Sequence, residues 1–130
     1  MPEELLKFSK IGFLIHVILG ALFAILYWLP GVSAPLFGFT YAPVTDGLSQ
    51  VFAAAITGLT IGSVFAAMAK QWNEVKILVY IELIWLGLGI IATLINVLAF
   101  GTTTVLFVIV LGVLFALFLL IFLKQEGKMK

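Results

Sequence analysis

Residues 77–100 read ILVYIELIWLGLGIIATLINVLAF, and Glu82 carries the single formal charge in that stretch. A helix of about 20 consecutive apolar residues is long enough to cross the hydrocarbon core of a bilayer. Strands in soluble cores are usually much shorter than this stretch. The segment therefore predicts a transmembrane helix, and the other apolar segments of the chain can be compared with it.

Four apolar segments of this kind occur along the chain: residues 11–29, 48–69, 77–100 and 104–123. At a rise of 1.5 Å per residue, helices over these segments reach roughly 28 to 36 Å, compared with a hydrocarbon core of about 30 Å. We therefore predict an all-α fold, an integral membrane four-helix bundle in which residues 1–130 form a single transmembrane domain.

The composition of the chain excludes several other classes of protein. Of 130 residues, 64% are hydrophobic and 10% are charged, whereas about a quarter of the residues in soluble proteins are charged. With no Cys and one His, the chain offers neither a thiolate metal site nor a two-His site. A net charge of +1 gives no indication of nucleic-acid binding. We expect a lipid bilayer as the main partner, and no metal or cofactor.

The lysines predict the orientation in the membrane. All seven basic residues are lysines, at Lys7, Lys10, Lys70, Lys76, Lys124, Lys128 and Lys130. The connections after the first and third segments contain none. Because positive residues in short flanks and loops are retained on the cytoplasmic side, we predict a protein of the cell membrane whose two termini and 70–76 turn are cytoplasmic.

The outer connection, residues 30–47, is rich in Pro, Gly and aromatic residues, and Asp46 is its only charge. It is too apolar for a free aqueous loop and too interrupted for a long helix, so we expect it to lie in the membrane interface or to fold back over the bundle. Tyr27 and Trp28 are expected in the outer aromatic belt. Asp46 is the expected N-cap of the second long helix, accepting hydrogen bonds from amides near Ser49.

Glu82 is the residue whose presence most needs a reason. A carboxylate in hydrocarbon costs several kcal/mol unless it is protonated, paired or hydrated. Glu82 follows Lys76 by six residues, and His16 follows Lys10 by six. Because both helices are predicted to run outward from the cytoplasm, the two side chains share a depth of about 9 Å below their lysines. Ser63, seven residues before Lys70, is expected close to the same depth.

Two interpretations of a cluster of His16, Ser63 and Glu82 stay open. In the first, the cluster is a proton-responsive or ligand-binding site, since a carboxyl group and an imidazole can exchange a proton and titrate together. In the second, it is an interhelical hydrogen bond that determines the register of the bundle.

The third long helix carries a polar stripe that continues from Glu82 through Leu86 and Gly89 to Thr93 and Asn96. Steps of four and three residues keep these positions on one helical face. We predict that this face points inward and that Thr93 and Asn96 bond across the bundle or line a narrow polar crevice.

The second long helix carries small residues at every fourth position: Ala54, Gly58, Gly62 and Ala66. Such a ridge lets another backbone approach closely. We expect it to pack within the chain against a face of the first helix that contains Gly12, His16 and Gly20, while a second protomer is the alternative partner.

The turn Trp72-Asn73-Glu74-Val75-Lys76, followed by Glu82-Leu83-Ile84-Trp85, resembles small uncharacterised four-helix membrane proteins of archaea and bacteria that are broadly DoxX-like in architecture. The resemblance implies a four-helix membrane fold, and such relatives include accessory membrane subunits linked to quinone chemistry. Small multidrug transporters also have four helices, but their essential Glu lies in the first helix, where this chain has His16.

No catalytic motif is found: the predicted spans contain no Lys for a Schiff base, and the chain has neither a glycine-rich phosphate loop nor a Ser-His-Asp set. We predict a non-catalytic accessory or oligomeric membrane module, a homo-oligomer or part of a larger membrane complex, with a buried His16–Glu82 pair. The alternative is a proton-coupled transporter or a protein that binds a hydrophobic small molecule with the same pair.

Overall fold

The computed structural model describes residues 4–36, 40–96 and 103–129, with residues 103 and 104 described in their backbone only. Five helices occupy these ranges: α1 Lys7–Trp28, α2 Ser33–Leu36, α3 Pro43–Met68, α4 Trp72–Ile95 and α5 Thr103–Gln125. No strand occurs within the same ranges, so the all-α prediction is confirmed for the part of the chain that is described. The connection between α4 and α5 lies outside it.

Four of the helices, α1, α3, α4 and α5, are long and apolar enough to cross a membrane. Their outward faces are strongly apolar: Ile77 and Ile95 are 73% and 75% exposed, and many other large aliphatic side chains are also exposed. Monomeric soluble proteins rarely expose contiguous apolar surface on this scale. The length of the helices and their exposed surface both fit a small multi-pass membrane protein.

The helices extend beyond the apolar segments because polar groups at their ends satisfy the free backbone amides. At the start of α3, the backbone N–H of Ala42 donates to the Thr45 hydroxyl at 3.4 Å. At the start of α4, the Glu74 carboxylate accepts from the backbone N–H groups of Lys70 and Gln71, at 3.0 and 3.2 Å. Hydropathy therefore locates the apolar part of each helix, whereas capping determines where the helix begins.

The helices associate as two hairpins. Helix α1 packs along α3, and α4 packs along α5, whereas the contacts of α3 with α4 and of α1 with α5 are much sparser. We call α1 with α3 the first hairpin and α4 with α5 the second hairpin. Because the hairpins touch each other less closely than their own helices do, the space between them can hold a cavity.

The buried residues of each helix recur in alternating steps of three and four, which is the spacing of helices that pack side by side in a bundle. In α3 the series contains Ser49, Ala53, Ile56, Thr60 and Ser63. In α5 they are Leu111, Leu114, Phe118, Ile121 and Gln125. In α4 the series contains Val75, Val79, Glu82, Leu86 and Thr93. The inward direction that we predicted for the face with Glu82 and Thr93 is therefore confirmed.

The small-residue ridge of α3 was expected to be the interface with α1, and this prediction is wrong. Ala54 and Gly58 are exposed, and a Cβ added at Gly58 meets none of the described atoms within 4 Å. Gly62 faces Leu78 of α4 instead, and Ala66 is buried. Because four residues advance a helix by slightly more than one turn, a repeat of four drifts by about 40° per step and winds away from the interface.

The closest approach of α1 and α3 is at Gly20. A Cβ added there would collide with the hydroxyl of Thr60. Gly12, His16 and Gly20 are all buried on α1, so the predicted inward face of that helix is correct. Its partner on α3 is the face with Thr60 and Ser63 rather than the ridge.

Asp46 does not cap α3, because the helix already begins at Pro43. Its carboxylate accepts from the backbone N–H of Gly31 at 2.7 Å and from the Tyr41 hydroxyl at 2.9 Å. The hydrogen bond from Tyr41 to this carboxylate raises the pKa of the phenol. Asp46 therefore ties the outer connection to the first turn of α3.

The described parts of the outer connection fold back over the first hairpin, where Ser33 is buried and α2 contacts α3. The predicted belt position is wrong for Tyr27, which is buried with its ring edge-on to Phe52 at 4.9 Å. Trp28 is 46% exposed, and its indole N–H donates to Thr57 at 3.1 Å. Tyr27 lies on the inward face of α1, eleven residues after His16, so helical phase overrides its interfacial preference.

Candidate binding site between the two hairpins

A polar cluster lies at the centre of the bundle and consists of His16, Ser63 and Glu82. Nδ1 of His16 is hydrogen-bonded to the Ser63 hydroxyl at 2.7 Å and lies 3.6 Å from Oε1 of Glu82. The three side chains come from α1, α3 and α4, and all three are buried. The structure thus brings together the three residues that we singled out from the sequence.

The fourth long helix closes the cluster with an aromatic side chain. The Phe118 ring of α5 stands edge-on to the His16 imidazole, with the ring centroids 5.1 Å apart at 86°, and Phe118 is wholly buried. The cluster is therefore enclosed by one residue from each long helix.

The carboxyl group of Glu82 has no hydrogen-bond partner within residues 4–36, 40–96 and 103–129. Glu82 is 0% exposed, and neither of its oxygens is hydrogen-bonded by any residue of the described ranges. The 3.6 Å separation from His16 is too long for a hydrogen bond. Leaving a buried polar group unsatisfied costs about 1 to 3 kcal/mol, and more if it is charged. The buried carboxyl group of Glu82 therefore lowers the stability of the folded protein substantially.

The cluster has the residue types of a hydrolytic triad, but it does not have the geometry. In a triad, the nucleophile and the carboxylate bind opposite nitrogens of the imidazole, so that a proton can pass from one side to the other. Here Ser63 and Glu82 both approach Nδ1 of His16. This arrangement does not activate the Ser63 hydroxyl through a relay, so the cluster is suited to binding rather than to nucleophilic catalysis.

A cavity of about 40 Å³ lies beside the cluster, between the two hairpins. His16 lines one part of it, and the remaining lining is apolar and aromatic, including Phe23, Trp85, Phe107 and Leu111. A buried water needs two to four polar partners, which this lining does not provide over most of its surface. The cavity therefore suits an apolar occupant better than water, and its volume is that of one very small molecule or atom.

Aromatic contacts hold the hairpins together on the side of the cavity away from the lysines. The rings of Phe23 and Phe107 meet edge-on with centroids 6.0 Å apart, and those of Phe52 and Trp85 stack at 5.7 Å. Contacts of this kind have no hydrogen bonds to break, so the two hairpins can separate here at lower cost than at a hydrogen-bonded end.

The lysine-rich end of the bundle is held by hydrogen bonds centred on Gln125, which we did not identify from the sequence. Its side-chain oxygen accepts from the Ser9 hydroxyl at 2.9 Å and from the Leu6 amide at 3.2 Å, and its nitrogen donates to the carbonyl of Glu4 at 2.8 Å. Gln125 continues the inward series of α5, and this spacing is the signal that identifies it as buried.

Glu126 links the two helices of the second hairpin at the same end. Its carboxylate pairs with the Lys76 ammonium group at 2.5 Å and accepts from the Trp72 indole N–H at 2.7 Å. The hydrogen bond from Lys76 is the main reason why the pKa of the Glu126 carboxyl lies below its usual range, and the hydrogen bond from Trp72 lowers the pKa further. The amide of Leu5 also donates to the carbonyl of Lys70 at 2.7 Å, which joins the start of the chain to the α3–α4 turn.

The predicted bonding of Thr93 and Asn96 across the bundle is wrong. The Thr93 hydroxyl donates to the carbonyl of Gly89 at 2.6 Å, and the Asn96 amide donates to the carbonyl of Ala92 at 2.7 Å. Both groups thus bond one turn back on their own helix, which short polar side chains do readily. Thr93 is buried, and it borders a groove with mostly apolar walls rather than a polar crevice; Asn96 is exposed at the end of α4.

No protein family, curated protein or solved structure was found to match this chain. What the protein does is therefore inferred from the site itself.

Proposed function

We propose that this protein is a non-catalytic, multi-pass protein of the cell membrane that binds a small hydrophobic molecule between its two hairpins. His16, Ser63 and Glu82 form the polar end of the site. The observation that carries the proposal is the Glu82 carboxyl group, which is wholly buried and has no hydrogen-bond partner among the described residues. It belongs to a cluster that borders an apolar cavity through His16.

The unsatisfied carboxyl group favours binding over a purely structural role. An accessory or oligomeric module would use the cluster only to maintain the register of the helices, and that use needs a hydrogen-bonded carboxyl group. Ionisable groups inside a membrane protein commonly mark ligand or proton sites, where stability is sacrificed for function. Since the imidazole and the carboxyl group lie 3.6 Å apart, the same site also suits a proton-coupled transporter.

We also propose that the lysine-rich end faces the cytoplasm. The lysines in the described ranges, Lys7, Lys10, Lys70, Lys76, Lys124 and Lys128, lie where the two ends of the chain meet the α3–α4 turn. Positive residues on one end of a membrane bundle support this orientation. The resemblance to DoxX-like proteins stays a prediction, as do a homo-oligomer and a larger membrane complex.

Fluorescence of Trp85, which lines the cavity, tests for binding. The chain contains three tryptophans, so Trp28→Phe combined with Trp72→Phe leaves Trp85 as the single fluorophore. Xenon, an apolar heavy atom small enough for a cavity of about 40 Å³ and a quencher of tryptophan on contact, is titrated into this variant in lipid nanodiscs. We expect quenching that saturates. A matched variant that keeps only Trp28 reports partition into the lipid and should show quenching without saturation.

A cavity-filling substitution provides the second control. Leu111 is buried and lines the cavity, so Leu111→Phe in the Trp85 variant should remove the saturable quenching while circular dichroism shows an intact bundle. Quenching without saturation in the Trp85 variant itself contradicts the proposal and favours the accessory module. Saturation that survives Leu111→Phe places the xenon elsewhere and contradicts the proposal as well.

A further inference from the structure

The lysine-rich end of the bundle carries an excess of positive charge. In the described ranges, this end has six lysines and three glutamates, Glu4, Glu74 and Glu126. Two of these glutamates are already engaged: Glu126 pairs with Lys76, and Glu74 accepts from backbone amides at the start of α4. Lys76 is the one lysine in an ion pair among the residues that the structure describes. Five positive side chains are therefore left with Glu4 as their nearest source of compensating charge.

Three of these lysines meet where α5 ends against the start of α1. The ammonium group of Lys124 lies over the Phe8 ring, 4.7 Å from its centroid, and the neighbouring Gln125 is bonded to the start of α1. The first two turns of α1 carry Lys7 and Lys10. We call Lys7, Lys10 and Lys124 the lysine cluster. No acidic residue lies in the first turn of α1.

The lysine cluster does not stabilise the fold by itself. The N-terminus of a helix carries a partial positive charge, so Lys7 and Lys10 lie at the unfavourable end of α1. Like charges on Lys124 add to this repulsion. An anion bound from outside the chain would relieve it, and a lysine binds a phosphate group as a point charge.

A strip of exposed hydrocarbon begins directly beside the cluster. Ile11, Leu14 and Ile18 follow Lys7 in steps of four, three and four residues, which keeps all four on one face of α1. The three aliphatic side chains are 48%, 51% and 69% exposed. An occupant of this surface therefore meets positive charge at one end and an apolar helix face along its length, as a phospholipid does and a soluble anion does not.

We propose that the seam of α1 and α5 at the lysine-rich end binds an anionic phospholipid. Lys7, Lys10 and Lys124 hold its phosphate group, and Ile11 and Leu14 contact its acyl chains. Lysines next to a membrane span bind anionic lipid with a gain of about fivefold in affinity each. This interaction is separate from binding in the cavity between the hairpins.

Native mass spectrometry of the delipidated full chain in detergent tests the proposal, because it resolves each bound lipid. The probes are phosphatidylglycerol, which is anionic, and phosphatidylcholine, which is zwitterionic, with the same two acyl chains. We expect the first phosphatidylglycerol to bind about tenfold more tightly than the first phosphatidylcholine. The preference should decrease as the ionic strength rises.

Substitutions of Lys124 test where the lipid binds. Lys124→Gln should weaken the binding of phosphatidylglycerol about fivefold and leave that of phosphatidylcholine unchanged. Lys124→Arg keeps the charge and should keep the preference. The matched control is Lys76→Gln combined with Glu126→Gln, which removes the ion pair at the same end without changing the net charge and should have no effect. Circular dichroism checks that each variant is folded.

Four results would overturn the proposal. Equal affinity for the two lipids would mean that the lysines serve only to orient the protein. A preference that survives Lys124→Gln combined with Lys7→Gln and Lys10→Gln would place the lipid elsewhere. An equal preference at every successive lipid would indicate diffuse surface charge, and displacement by 1 mM inorganic phosphate would indicate a soluble anion.

Discussion

At the scale of single residues, Glu82 and Gln125 show how differently a buried polar side chain can be accommodated. Gln125 is wholly buried and hydrogen-bonded to three groups near the start of the chain. Glu82 is equally buried and has no such partner in the part of the chain that the structure describes. The first arrangement is what stability requires. The second is expected where a residue is retained for binding.

Replacing Glu82 with an apolar residue of similar size is therefore expected to stabilise the protein. Glu82→Leu removes an unsatisfied group and should raise the free energy of unfolding by about 1 to 3 kcal/mol. Thermal unfolding in detergent measures this change. Gln125→Leu is the matched control and should lower stability by a similar amount, because it leaves the hydrogen-bond partners of Gln125 unpaired.

A lower stability of Glu82→Leu would show that the carboxyl group makes a net stabilising interaction. The cluster would then act to hold the helices in register, as in the accessory interpretation. In that case a double-mutant cycle of His16→Ala and Glu82→Gln should show a coupling above about 0.6 kcal/mol, the average for hydrogen bonds between membrane helices.

At the scale of helices, the small residues of α3 show that the spacing of residues, more than their type, determines which of them face the rest of the bundle. Gly58 belongs to a repeat of four and points away from the bundle, whereas Thr60 and Ser63 belong to the series of three and four and face α1. Glycine at Gly20 is needed because the Thr60 hydroxyl occupies the space of a Cβ. That hydroxyl is held in place by its bond to the carbonyl of Ile56 at 2.8 Å.

Two glycine substitutions therefore have opposite expected effects. Gly20→Ala should lower the free energy of unfolding by about 1 to 3 kcal/mol, because the added methyl group collides with Thr60. Gly58→Ala meets no described atom within 4 Å and should raise it by up to about 1 kcal/mol through helix propensity. Thermal unfolding of both variants in the same detergent checks the contrast.

Adding Thr60→Ala to the Gly20→Ala variant should recover part of the lost stability, since the colliding hydroxyl is then gone. Equal melting temperatures for the parent protein, Gly20→Ala and Gly58→Ala would mean that α1 and α3 do not approach closely at Gly20.

At the scale of the whole molecule, the two ends of the bundle are held together by different kinds of contact. Gln125 and Glu126 join the chain ends and the second hairpin through hydrogen bonds at the lysine-rich end. On the other side of the cavity, the hairpins meet through aromatic rings such as Phe23 and Phe107. A molecule that enters the cavity from the membrane is therefore expected to pass between the hairpins on the aromatic side.

The proposed orientation predicts which positions are accessible from each side of the membrane. The chain contains no Cys, so single cysteines can be introduced at the exposed positions Thr40, Gln71 and Lys128. An impermeant maleimide should label positions 71 and 128 only from the cytoplasmic side, and position 40 only from outside. Labelling of 71 and 128 from opposite sides would contradict the proposed arrangement of the spans.

The sequence alone was sufficient to predict four long apolar helices, the single lysine-rich end and the residues His16, Ser63 and Glu82, because hydropathy, charge and depth along a helix are properties of single positions. Only the tertiary structure could decide that both Ser63 and Glu82 approach the same nitrogen of His16, that Thr93 and Asn96 bond to their own helix, and that Gly58 is exposed. These facts depend on the rotation of each helix about its axis and on which neighbours it packs against. Packing of all four helices together determines those rotations, and a repeat of four residues in one helix does not.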